Sequence, residues 1–147
     1  MSFGFIPDVT LKSEEKFEGL RDISPLRIDR YVIPIRFCFE TDGLQHFQST
    51  SFNFDYPGND LNDRMKKDLI KDKYCLENGL SLMRIPCNMT NRKKIMEMMI
   101  QAFNLCQQGY QIYVTYQHYF DEIIKTVKID TTKVMIAIVK CPKLKYK

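Results

Sequence analysis

The stretch FCFETDGLQHF, Phe37 to Phe47, holds Glu40, Asp42, Gln45 and His46, the last being one of only two histidines in a chain of 147 residues. It starts with the alternation of a strand, Phe37 and Phe39 against Cys38 and Glu40. Side chains two apart on a strand project to the same face, so Glu40 and Asp42 point the same way. Two carboxylates so placed repel one another unless both are solvated, one is protonated, or a divalent cation neutralises the pair. Hard oxygen donors favour Mg²⁺ or Mn²⁺. Gly43 is expected to turn the chain sharply and leave Gln45 and His46 just past the strand end, at the same edge. The plainer reading is a surface strand with solvated ends and a loop histidine.

Three further segments bear on that chemistry. Asp29, in LRIDRYVI, brings a third carboxylate to a cation if its strand pairs with the next in the right register. On a helical wheel Asp68, Lys71, Asp72 and Cys75 share one side, beside the apolar stripe Met65, Leu69 and Leu76. Arg84 interrupts an apolar run, LSLMRIP, and is costly to bury unless it meets an anion. Each also has an ordinary structural reading: Asp68 and Lys71 as a helix-surface pair, Arg84 as the partner of one structural acid.

The elements that must position these residues follow from periodicity. Residues 1–25 signal weakly, with Ser13 placed to cap a short helix over SEEKFEGLRD. LRIDRYVI reads as a strand with Leu26, Ile28, Arg30 and Val32 on one side, and IRFCFE as its hairpin partner or its continuation past Pro34. STSFNFDYPGND reads as a short strand ending in turn chemistry. A helix is expected from about Asn62 to Glu77, stopped by Asn78-Gly79, then a buried strand from Leu80 to Pro86, then an amphipathic helix from about Arg92 to Gln108. Its methionine-rich face reads as core filler. YQIYVTY and KVMIAIVK read as two more strands, either extending the sheet or offering a dimer edge, around an ambiguous HYFDEIIKTV. The order helix, short loop, apolar strand indicates an α/β sandwich.

The length suits one domain, 1–147. No run approaches the roughly 20 apolar residues of a membrane span, and the start lacks the features of a secretory signal. Five scattered cysteines, an odd number, read as reduced core thiols of an intracellular protein. Two histidines and no C-x-x-C argue against a zinc site. The net charge of +4 is concentrated in Arg92, Lys93 and Lys94 and in a tail, Lys140, Lys143, Lys145 and Lys147, a distribution compatible with a polyanionic partner and equally with solvated surface.

Taken in order, LRIDRYV, FETDGLQHF and KDLIKDKYCLENGLSLMRIPC resemble the small endonuclease-like proteins of phages and large DNA viruses. These fall within the PD-(D/E)XK superfamily, near the very-short-patch repair endonucleases. The likeness spans residues 17–87 and leaves a C-terminal helix and strands, 88–147, uncovered. It implies a restriction-endonuclease-like mixed β-sheet flanked by helices, with extra C-terminal strands, and a Mg²⁺- or Mn²⁺-dependent endonuclease acting on DNA. By resemblance, Asp29, Glu40 and Asp42 hold the metal, His46 acts as general base or orients the water, and Asp68 completes the acidic edge or orients His46. Lys71, Arg84 and Gln45 face the substrate phosphate. Asp42 stands where the superfamily's E-x-K has lysine, which moves the positive role to His46 or Lys71. The resemblance further implies residence in a host cytoplasm or nucleus, and a homodimer through the C-terminal strands by analogy with nucleases that cut both strands. The second reading is a non-catalytic descendant of the same fold that binds nucleic acid or protein.

Overall fold

The computed structural model describes residues 11–49 and 61–145. The chain forms β1 (Leu11–Arg21), β2 (Pro25–Val32), β3 (Phe37–Asp42), α1 (Leu61–Glu77), β4 (Ser81–Pro86), α2 (Arg92–Gln107), β5 (Gln111–Thr115), α3 (Gln117–Ile123) and β6 (Val134–Ile138). The strands make one six-stranded mixed sheet in sequence order. β1, β2 and β3 are an antiparallel meander; β3 to β6 run parallel, each reached by a helical crossover. The fold is therefore mixed α/β, as the helix–strand alternation predicts. The strand and turn expected from STSFNFDYPGND lie, but for Ser49, outside the described residues.

Period-two alternation sorts the sheet into two faces. Phe37, Phe39, Met83, Ile112 and Val114 pack with Met99, Ala102 and Phe103 of α2. Cys38, Leu82 and Tyr113 pack on the other face with Cys75 of α1 and Ile123 of α3. Glu40, Asp42, Arg84 and Thr115 continue this second face toward the C-terminal ends of the parallel strands, so polar groups succeed apolar ones within one buried layer.

Three expectations change. The short helix at Ser13 is instead strand β1, an edge strand carrying charges at Glu14, Glu15, Lys16, Glu18 and Arg21. Pairing with β2 outweighs a weak helical tendency, and Gly19 at φ +84° could not sit comfortably in a helix. In β2 the alternation breaks: Ile28 belongs to the α1 side but Val32 to the α2 side. The regular pairing of β2 with β3 ends nearby, at Arg30 opposite Phe39. Finally, Gly43 has an ordinary extended backbone, φ −70°, and the sharp turn is a single 3₁₀ turn at Leu44–His46. His46 N–H donates to Gly43 O at 3.1 Å and Phe47 N–H to Leu44 O at 2.9 Å.

The C-terminal strands extend the sheet, with β6 as its edge. The ambiguous segment after β5 becomes α3, placed with α1 on the side of the polar layer. Among the described residues no helix is long and apolar enough to cross a membrane.

Candidate active site

Arg84 is the hub of the polar layer and is fully buried. β4 places it between β3 and β5 and under α1. Its Nε donates to Asp72 Oδ1 at 2.8 Å, its Nη1 to both oxygens of Asp42 at 3.1 and 3.0 Å, and its Nη2 to the Asp68 carbonyl at 3.0 Å. The guanidinium also lies over the Tyr119 ring, 5.2 Å from its centroid. A buried guanidinium in an apolar strand needs an anion. The structure supplies three carboxylates, and the substrate-phosphate role expected of Arg84 has no exposed donor to serve it.

Phenols complete the layer. Tyr116 Oη donates to Asp42 Oδ2 at 2.5 Å and Tyr119 Oη to Asp68 Oδ2 at 2.5 Å. Tyr113 Oη and Thr115 Oγ1 donate to Asp72 Oδ2 at 2.6 and 2.9 Å. Burial, and then the adjoining carboxylate, push all three phenols far above their ordinary range, so they stay protonated donors. These residues were missed in the sequence. The signal was available in YVTY, where Tyr113 and Thr115 put two hydroxyls on one face of an otherwise apolar strand.

His46 and Asp68 meet at the edge of this layer. His46 Nδ1 lies 2.6 Å from Asp68 Oδ2 and 3.6 Å from Asp42 Oδ1. Burial pushes the Asp68 carboxyl up, but the Arg84 guanidinium, His46 and the Tyr119 hydroxyl more than reverse this and hold it at about 2. Asp72 is pushed up by burial, partly offset by Arg84 and its hydroxyl partners. One ligand atom each from Asp42, His46 and Asp68 lie within 4.8 Å of one another, close enough for three ligands of one cation.

Glu40, Asp29 and Lys71 make a neighbouring but separate group. Glu40 Oε2 accepts from Lys71 Nζ at 3.1 Å and Oε1 from the Asp29 backbone N–H at 2.9 Å. Asp29 Oδ2 in turn accepts from the Thr41 N–H at 3.0 Å. Past the end of the β2–β3 ladder, these two side chains take over as backbone acceptors. Burial raises the Glu40 pKa, against the pull of Lys71. Of the three carboxylates expected around a metal, only Asp42 belongs to the convergent trio. Gln45 is exposed at the turn, its amide folded over Gly43.

Asp42, His46 and Asp68 offer donors that could hold a metal ion. Among the described residues Asp42, Asp68 and Asp72 share one guanidinium, that of Arg84, while Glu40 is matched by Lys71. Each carboxylate oxygen has two acceptor sites. Asp42 Oδ1 takes one hydrogen bond, and Asp68 Oδ1 has only the 3.7 Å approach of Arg84 among the described residues. Counted over the described residues, lone pairs remain on both acids.

Comparison with protein-family models, with curated proteins and with solved structures finds no match.

Proposed function

We propose that this protein is a metal-dependent DNA endonuclease on a restriction-endonuclease-like core. The observation that carries the proposal is the convergence of Asp42, His46 and Asp68, from β3, the turn after it and α1, in one buried layer. Their position at the C-terminal ends of parallel strands is where α/β sheets commonly bind ligands. The E-x-D-G-x-Q-H-F and D-x-x-K resemblance supplies the reaction class.

In this reading Asp42 and Asp68 would hold Mg²⁺ or Mn²⁺. The ion would polarise the scissile phosphate and lower the pKa of a bound water. His46 is the general base: Asp68 fixes the ring through Nδ1, which makes Nε2 the proton-accepting atom, as in other carboxylate–imidazole pairs. Glu40 and Lys71 form an ion pair that sets the spacing of β3 and α1. Arg84 and the three phenols hold the acids in place.

A second reading, a non-catalytic binding protein on the same fold, draws support from the bonds that Arg84, Tyr116 and Tyr119 already make to Asp42 and Asp68, as in a structural network. One experiment separates the two. Supercoiled, linear, mismatched and branched DNA are incubated with Mg²⁺ or Mn²⁺ and wild type, Glu40→Ala, Asp42→Asn or His46→Ala. Metal-dependent cutting by wild type that is lost in Asp42→Asn and His46→Ala supports the enzyme. A folded wild type that cuts no DNA and shows no calorimetric Mn²⁺ binding supports the second reading.

A further inference from the structure

We propose that the C-terminal segment Lys140–Lys145 is a phosphate-binding rim for nucleic acid, set beside the turn that carries His46. The proposal rests on the reading of DNA as partner but not on cleavage.

After β6 the chain folds back toward the site instead of leaving the domain. Val139 N–H donates to Thr115 O at 3.0 Å, Lys145 N–H to Phe47 O at 2.8 Å, and Ser49 N–H to Lys145 O at 3.2 Å. Gln48 and Lys145 thus form a parallel bridge, two residues past His46. Val139, Cys141 and Leu144 pack against Phe47, Tyr116 and Tyr119, the last two being the donors to Asp42 and Asp68. With its apolar residues turned inward, the segment leaves Lys140, Lys143 and Lys145 exposed.

None of these three lysines forms an ion pair with a carboxylate among the described residues. Lys66, Lys67 and Lys125 pair with Asp22, Asp63 and Glu122, whereas Lys73, Lys93, Lys94, Lys128 and Lys133, like the tail lysines, make no such pair among the described residues, so what sets the tail apart is its anchoring beside the site. A merely solvating lysine tail has no need of backbone bonds and an apolar anchor. Here three unpaired cations are held on an ordered segment next to a buried acidic layer, which would itself repel a polyanion. The lysines supply the attraction that brings a phosphate backbone to that edge. Lys133, just before β6, lies at the opposite end of the strand and serves as a control.

The test is fluorescence anisotropy of a labelled DNA duplex in EDTA, comparing wild type, the Lys140→Gln/Lys143→Gln/Lys145→Gln variant and Lys133→Gln, between about 50 and 200 mM salt. The triple variant is expected to bind about tenfold or more weakly, and its slope of log K against log salt to fall by about two to three, near 0.9 per lost phosphate contact. Lys133→Gln should match wild type. Equal affinity and slope in the triple variant, equal weakening by Lys133→Gln, or no DNA binding by wild type overturns the proposal. So does lysine-dependent binding to phosphatidylserine vesicles without binding to DNA. Tail-dependent DNA binding with no metal-dependent cutting would sink the nuclease reading and leave this one standing. Cutting with an unchanged salt slope would do the reverse.

Discussion

The Tyr116 hydroxyl lies 2.5 Å from Asp42 Oδ2, joining residues 74 apart in the chain. Through this bond the segment after β5 reaches back to the first candidate metal ligand. Tyr119 does the same for Asp68, across 51 residues. The part of the chain that the family resemblance leaves out thereby holds the acids that the resemblance singles out.

Removing either phenol oxygen should destabilise the protein measurably without unfolding it. Tyr116→Phe and Tyr119→Phe keep the ring and its packing but leave a buried carboxylate oxygen short of a donor, a loss of about 1–3 kcal/mol each. Urea unfolding checks this, with Tyr74→Phe as reference. The Tyr74 hydroxyl donates to the Glu18 carbonyl away from the site, so its loss should cost less than about 1 kcal/mol.

Arg84→Met should be the most damaging single substitution in the polar layer. It leaves Asp42, Asp68 and Asp72 buried around no guanidinium, and breaking a buried charge pair in this way costs about 3–5 kcal/mol. Asp72→Asn in the same chain should recover part of the loss, because it removes one of the uncompensated charges. A double-mutant cycle on unfolding free energies reads the coupling, and strictly additive effects would contradict the shared network.

Metal binding and proton transfer should separate by mutation. His46→Ala is expected to retain Mn²⁺ binding and lose at least about a hundredfold in cleavage rate, the usual contribution of a general base. Asp42→Asn is expected to lose both. Calorimetry with Mn²⁺ alongside a single-turnover cleavage assay makes the comparison. Loss of Mn²⁺ binding in folded His46→Ala would show that His46 is a ligand.

Acid should weaken the fold through Asp68. Its folded carboxyl sits at about 2, against an ordinary value of 3.8. Between those values the unfolded chain binds more protons, so stability rises with pH there. The contribution is fully present above about pH 4 and disappears as pH falls toward 2, and it amounts to about 2 kcal/mol. Glu40 and Asp72, whose pKa values are raised by burial, work in the opposite sense: what they contribute is lost as pH rises through their raised values. Urea midpoints measured from about pH 2 to pH 6 in wild type and Asp68→Asn check this; Asp68→Asn should show the flatter acid limb.

Local pattern alone determined most of the elements. The helix ending at Asn78-Gly79, the apolar strand to Pro86 and the amphipathic helix from Arg92 depend on periodicity and stop signals carried within each segment, and they form within a residue or two of where the spacing puts them. The same pattern marks Glu40, Asp42, His46 and Arg84 as chemically unusual, because polar groups stand in or at the end of apolar strands there, and Asp68 because helical spacing sets it beside the apolar stripe of its helix. Tertiary structure alone decided which of them meet. Asp29 and Glu40 turn to backbone N–H groups where the β2–β3 ladder ends, a matter of register that no local signal sets. Asp68 reaches His46 because α1 packs against the turn after β3 and against β4. The donors from Tyr113, Thr115, Tyr116 and Tyr119 arrive from a strand and helix far along the chain. Ser13 shows the converse: a weak helical tendency yields when an edge strand can pair with its neighbour. Local propensity is worth tenths of a kcal/mol per residue, whereas satisfying a buried charge is worth several, so the long-range pairing prevails wherever the two compete.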